Sequence, residues 1–282
     1  MVPLEFVRVI AVEAGAIAHA ALRGDLQVSE KLNASDLLTQ VDVEVENHLK
    51  DRIKKQFPSH QFICEESDHS HRLGSQPTWI IDPIDGTMNF VYGMPTFCVS
   101  VAFADGGQIQ HGVVHAPMMG ETFAASRGEG ATLNGQAIRV STACDLERAC
   151  VATGFCAGLL KLQGLSAEHT KLISELDEIV KHNAYTLIRR CRDVRRLGAS
   201  ALELAWVACG RLDAALEMGN KEWDIAAGSL LVSEAGGVVT YIDGAPLGDL
   251  GDRSFMAANS ESLHQALRNE IRCPSQNVRC FD

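Results

Sequence analysis

Residues 79–90 read Trp-Ile-Ile-Asp-Pro-Ile-Asp-Gly-Thr-Met-Asn-Phe, and this stretch predicts a strand, a turn and a helix start in immediate succession. Trp79, Ile80 and Ile81 are the apolar run of a buried strand. The chain then turns polar at once, so Asp82 and Asp85 are delivered at a strand end. Pro83 stiffens the link between them, because its ring fixes φ and it has no N–H to continue a central ladder. Gly86 lets the backbone approach a ligand closely, and Thr87 is placed to cap a helix that begins at Met88. Unpaired N–H groups and the positive end of a helix dipole suit a phosphate. Taken alone, the pattern is also compatible with an ordinary turn followed by a capped helix.

Two more acidic patches change that weighing: Glu65-Glu66, and Asp224 in the stretch Trp223-Asp224-Ile225-Ala226-Ala227-Gly228. Mg²⁺ is a hard ion that takes oxygen ligands in near-octahedral geometry and is held by a few carboxylates, waters and substrate phosphate. Glu65, Asp82, Asp85 and Asp224 supply such a set.

These segments, together with Glu-Glu-Ser at 65–67 and the run from Trp223 to Gly237, resemble the inositol monophosphatase family of Mg²⁺-dependent, lithium-sensitive phosphatases. The resemblance extends from the first helix to about residue 270. It implies an α+β fold with αβαβα layers, the sugar-phosphatase fold of inositol monophosphatase and fructose-1,6-bisphosphatase. It also implies hydrolysis of a small phosphate monoester, myo-inositol 1-phosphate first among the candidates, with two or three Mg²⁺ per active site. Glu65, Asp82 and the Ile84 carbonyl would hold the first ion, and Asp82, Asp85 and Asp224 the second. Asp42 and Thr87 match the pair that orients the attacking water, with Glu65 beside them. Gly86 and Thr87 match the phosphate donors, while Asp85, Gly198, Ala199, Ser200, Glu217 and Asp224 match positions that contact substrate hydroxyls. Lys31 and Asp36 match a mobile loop that helps gate a third, weaker metal. A homodimer is the usual family assembly.

A phosphate monoester hydrolyses very slowly unaided, so such a site must act through positioning and charge stabilisation. Paired metals lower the pKa of an attacking water and stabilise the leaving oxygen in an in-line displacement. Asp42 is then an orienter or proton acceptor, and no Ser or Cys nucleophile is required.

The composition agrees with an enzyme of this kind. With 282 residues, 46% of them hydrophobic, the chain has enough apolar surface for a large core. A net charge of −11 argues against nucleic acid or an anionic membrane as the main partner. No apolar stretch reaches a membrane span and no signal-peptide pattern opens the sequence, so a cytoplasmic protein acting on a small phosphorylated polyol is expected. Nine cysteines, scattered without a C-x-x-C pair, indicate neither a disulfide framework nor a zinc site. Cys64 stands where the family usually carries Gly; redox sensitivity of the site is one reading, a tolerated strand substitution the stronger.

One domain is expected over residues 1–272, in halves of about 1–145 and 146–272, followed by a disordered tail at 273–282. Periodicity predicts helices at Leu4–Arg23 and from near Asp42, then an antiparallel meander over 96–140. The second half should carry a strand at Cys150–Thr153 and helices at Ser166–His182 and Ala199–Cys209. A strand at Leu212–Met218, a helix at Asp224–Ala235 and a strand at Val238–Ile242 follow.

His69-Ser70-His71 lies in a polar stretch and reads as a solvated loop, and Gly128-x-Gly130 as a hairpin turn. The arginines at 189, 190, 192, 195 and 196 read as paired surface charge, with an anionic substrate or a subunit interface as the alternatives. Lys221 and Ser200 depart from the animal-type pattern towards a microbial one. They leave the alcohol half of the substrate open among inositol phosphate, histidinol phosphate, fructose 1,6-bisphosphate and a nucleotide 3'-phosphate. A regulatory protein on the same scaffold is the non-catalytic alternative.

Overall fold

The computed structural model describes residues 2–22, 24, 26–31, 37–67, 72–143, 145–155, 160–161, 167–248, 250 and 254–273. The first half runs α1 (Leu4–Ala21), β1 (Val28–Glu30), β2 (Leu37–Thr39), α2 (Gln40–Gln56), β3 (Gln61–Cys64), β4 (Thr78–Asp85), α3 (Thr87–Val91), β5 (Cys98–Asp105), β6 (Gln108–Ala116), β7 (Glu121–Ser126), β8 (Gly130–Leu133) and β9 (Gln136–Ala137). The second runs β10 (Cys150–Thr153), α4 (Ala167–Arg190), β11 (Asp193–Arg195), α5 (Ser200–Ala208), β12 (Ala214–Glu217), α6 (Glu222–Glu234), β13 (Val238–Tyr241), β14 (Phe255–Ala258) and α7 (Glu261–Glu270).

Strands β3 to β9 form one seven-stranded sheet in sequence order, and a five-stranded sheet has the order β11-β10-β12-β14-β13. Side-chain alternation along the strands divides the apolar residues among three cores. Trp79 and Ile81 of β4 join Ile10, Val45 and Leu49 of α1 and α2 on the outer face of the large sheet. Ile80 faces the other way, into a central core with Leu204 of α5, Leu231 of α6 and Ala257 of β14. Met256 and Ala258 of β14 turn to a third core with Leu187 of α4 and Leu263 of α7. The layers are therefore α1/α2, large sheet, α5/α6, small sheet, α4/α7, the αβαβα arrangement of an α+β fold.

The strand containing Asp82 does not stop at that residue, as expected from Pro83, but runs on through Asp85. Asp82 pairs with Ser100 and Asp85 with Cys98, so one extra residue is accommodated on β4. Without that bulge, positions three apart would point to opposite faces; with it, Ile81 and Ile84 lie in the same core. Proline is tolerated at such a bulge because no ladder N–H is required of it. The bulge thus sets the two carboxylates beside one another.

Helix α6 lies unusually close to its neighbours. A Cβ on Gly112 of β6 would stand 2.8 Å from the Ala227 carbonyl oxygen and 3.0 Å from its Cα, and one on Gly228 would stand 2.5 Å from Leu204 Cβ. The helix is seated between sheet and α5 at main-chain contact.

The expected meander at 96–140 is present as β5 to β9, with Gly128 and Gly130 both at positive φ in its β7–β8 turn. Helix α4 extends eight residues beyond His182, so Arg189 and Arg190 close its last turn. Arg190 pairs with Glu270 at 2.8 Å and Arg195 with Asp193 at 2.6 Å, the carboxylate pairing expected of this run, whereas Arg189 donates to the neutral Tyr185 hydroxyl at 3.1 Å. Ser166, Asp36, His69, Ser70, His71 and all of the tail after Cys273 lie outside the described residues. No helix among those described is long and apolar enough to cross a membrane.

Candidate active site

Two of the acids are presented by helix starts built alike. Thr39 caps α2, and Asp42, three positions on, accepts from the Thr39 N–H at 2.9 Å and its hydroxyl at 2.5 Å, both through Oδ2. Asp224 stands at the same position of α6 and accepts from the Lys221 N–H at 2.7 Å through Oδ2. One oxygen of each is spent on its own helix, leaving the other for the site. Asp42 Oδ1 faces Thr87 Oγ1 at 3.3 Å, and the same hydroxyl lies 3.1 Å from the Ile84 carbonyl.

Thr87 is not the helix cap. Gly86 takes that position with φ +91°, and Thr87 is the first residue of α3. Left-handed backbone favours glycine, and space enforces it here: a Cβ on Gly86 would stand 3.1 Å from Ala199 Cβ and 3.2 Å from the Gly198 carbonyl. This close approach brings the 198–200 segment against the β4–α3 turn. Asp85 secures it, accepting from Ser200 N–H at 3.0 Å, Ala201 N–H at 2.8 Å and Leu202 N–H at 3.3 Å. A carboxylate on the first turn of α5 satisfies donors that the helix cannot satisfy itself.

Glu65 follows β3, where its N–H bonds to the Ile81 carbonyl at 3.2 Å. Lys31 Nζ donates to Glu65 at 2.8 Å and to Glu66 at 2.7 Å. Burial opposes the Lys31 charge, yet the two glutamates hold its pKa above the ordinary lysine value. Cys64 beside them is fully buried in β3, as a strand substitution would be.

Acidic groups dominate this space. Burial, then the charges of Glu65, Asp85 and Asp224, pushes Asp82 well above the usual carboxylate range, and its carboxyl lies within hydrogen-bond reach of Glu65. Asp224 is also raised by burial, and Asp85 is raised by burial to about 7 against three backbone N–H bonds and a Cys98 thiol at 3.3 Å. Burial raises Asp42 to about 6, although its bonds to Thr39 pull the other way. Asp82 Oδ1 is buried with no hydrogen-bond partner. Crowded, desolvated acids with an orphaned oxygen fit a bound cation. Among the described residues no three His, Cys, Asp or Glu side chains already close around one point. Glu65 is turned to Lys31, and Asp85 and Asp224 to backbone N–H groups. Mg²⁺ keeps much of its water shell and requires no closed protein cage, so the donor set remains suited to it.

The sequence profile of the inositol monophosphatase family matches residues 4–276. The chain belongs to the inositol monophosphatase family. It is 40% identical to Nus factor SuhB of Escherichia coli K12 over 219 residues, covering 78% of this chain and 76% of that one. Identity to mouse inositol monophosphatase 2 is 36% over 260 residues, 90% of this chain and 84% of the relative. The crystal structure of extragenic suppressor protein suhB from Bartonella henselae superposes with a TM-score of 0.81 at 32% identity, covering 95% of this chain and 97% of that one.

Within this inositol monophosphatase fold the structure adds residues that motif reading passed over. Glu203 of α5, fully buried, accepts from Leu197 N–H at 2.9 Å and Gly198 N–H at 3.3 Å. Asn89 donates to the Leu197 carbonyl at 2.7 Å and the Thr96 carbonyl at 2.6 Å, fixing the same loop from α3. Glu46 accepts from Glu66 N–H at 2.9 Å, which orients the 65–66 turn. A charged residue one helical turn after Asp42, on the apolar face of α2, was the available signal for Glu46. Asn220 bonds Glu217 and Ser200, and nothing local in its sequence marks it.

Proposed function

We propose that this chain is a Mg²⁺-dependent phosphatase that hydrolyses myo-inositol 1-phosphate to inositol and phosphate, acting as a cytoplasmic homodimer without a nucleic-acid partner. The observation that carries the reading is the convergence of buried acids on the β4–α3 turn, with Asp82 Oδ1 unpartnered at its centre. Glu65, Asp82, Asp85, Asp224 and the Ile84 carbonyl would hold two or three Mg²⁺ ions. Bound there, Mg²⁺ supplies charge stabilisation and a water of lowered pKa. Asp42 Oδ1 and Thr87 Oγ1, 3.3 Å apart, would orient an attacking water, with Asp42 as the proton acceptor. Backbone N–H groups of Gly86 and Thr87 hold the phosphate, and Gly198 to Ser200 with Glu217 line the alcohol side.

Support for inositol comes from the mouse relative's name. The name of the Escherichia coli relative, a Nus factor, favours a second reading in which the same scaffold serves a regulatory partner. A panel of inositol 1-phosphate, histidinol phosphate, fructose 1,6-bisphosphate and a 3'-nucleotide, assayed with Mg²⁺ and with EDTA, separates the readings. Highest kcat/KM on inositol 1-phosphate, abolished by EDTA, is expected. No Mg²⁺-dependent turnover of any ester would leave the regulatory reading standing.

A further inference from the structure

Glu217, at the end of β12, is held through one oxygen by its hydrogen bonds among the described residues. Ser200 Oγ donates to its Oε2 at 2.5 Å, and Asn220 Nδ2 donates to that same oxygen at 3.0 Å and to Ser200 Oγ at 3.0 Å. The donor directions are fixed by chemistry. Ser200 has one proton, which goes to the carboxylate, and Asn220 has two, one for each neighbour. Reversing the amide would set its carbonyl oxygen against a carboxylate. Ser200 is 8% exposed and Asn220 5%, so these charge-assisted bonds are shielded from water. The other oxygen, Oε1, lies over Gly154, where an added Cβ would stand 2.6 Å from it. Ser200 N–H also bonds Asp85, so one residue spans the metal side and the alcohol side.

A carboxylate free to swing accommodates many alcohols, whereas one with an oxygen already committed offers a single acceptor in a set direction. Resting on the phosphatase reading, we propose that Ser200 and Asn220 are positioning residues that lock Glu217 Oε2, leaving Oε1 as the acceptor that selects phosphate esters whose alcohol carries further hydroxyl groups. A site built to bond a hydroxyl discriminates strongly against alcohols without one.

The test compares inositol 1-phosphate with 4-nitrophenyl phosphate, under saturating Mg²⁺, for wild type, Ser200→Ala, Ser200→Thr, Asn220→Ala, Glu217→Gln and the Ser200→Ala/Glu217→Gln double variant. Ser200→Ala and Asn220→Ala should each lower the polyol-to-aryl ratio of kcat/KM roughly ten-fold, mainly through KM, the effect of one charge-assisted hydrogen bond. Ser200→Thr, which keeps the hydroxyl, should preserve the ratio. In the Glu217→Gln background, Ser200→Ala should add little, because the two act as a unit. Equal losses on both esters, or full additivity with Glu217→Gln, overturn the inference while the phosphatase reading stands. If Ser200→Ala does not fold, Asn220→Ala and Ser200→Thr decide it alone. A wild type inert towards both esters fails the phosphatase reading, and this inference with it.

Discussion

Replacing Asp85 by Asn keeps its shape and removes one charge, and two opposing effects follow from its surroundings. The carboxylate accepts three backbone N–H groups from the first turn of α5. Asn has one acceptor oxygen, so in its best orientation it keeps Ala201 and Leu202 and faces Ser200 N–H with an amide donor. A buried donor left unpaired costs about 1–3 kcal/mol. Against that, burial raises Asp85 from 3.8 to about 7. An acid raised in the folded state contributes stability that is present below its unfolded value and lost as pH rises to its folded one. By pH 8 its ionisation costs on the order of a few kcal/mol, and by pH 5 only a fraction of that. In EDTA, Asp85→Asn should therefore gain on wild type as pH rises from 5 to 8, by an amount worth several degrees in Tm. With Mg²⁺ at pH 8 the order should change, because only wild type gains the full cation-induced rise. Turnover should fall by at least about 100-fold, since even residues behind a metal ligand cost up to that much. The assay is paired thermal melts and steady-state kinetics on the same preparations. A folded variant with near-normal turnover at saturating Mg²⁺ would refute the assignment of Asp85 to metal. A stability gap independent of pH would refute the account of its burial.

Mg²⁺ should raise the Tm of wild type more at pH 8 than at pH 5.5, because protons and cation compete for Asp82, Asp85 and Asp224, all held above the usual carboxylate range by burial; an increment independent of pH contradicts this. Li⁺ should inhibit uncompetitively against substrate, and more weakly in Asp224→Asn; inhibition relieved by raising substrate, against matched NaCl controls, argues otherwise. Burial lowers the His115 pKa below 6.5, so this ring refuses a proton that the unfolded chain accepts, and its contribution is lost as pH falls below that value. The stability gap between wild type and His115→Gln should accordingly narrow from pH 7.5 to pH 5, and melts showing a constant gap would exclude it.

The placement of Asp42 and Asp224 was readable from sequence, because helix starts announce themselves within a few residues. Asp42 and Asp224 do sit in first turns, as the periodicity required. What was misread at the β4–α3 junction has a common cause: local rules for Pro83 and Thr87 assumed a regular strand and a side-chain cap. The bulge between Asp82 and Asp85 and the left-handed Gly86 replace both. The bonds from Asp85 to α5 join segments more than a hundred residues apart, and those of Glu203 and Asn220 close irregular loop bends; no periodicity carries either kind of information.

The main-chain seat of α6 on Gly112 has a consequence for how mutations in this protein combine. A side chain at Gly112 would lift the helix whose first turn carries Asp224, so in a screen for loss of function it would score among the acids while touching none of them. Second-site revertants should be scarce as well. Trimming a neighbouring side chain, the ordinary remedy for overpacking, removes nothing from the obstruction, because the atoms nearest the new Cβ are the Ala227 carbonyl oxygen and Cα, which every amino acid possesses.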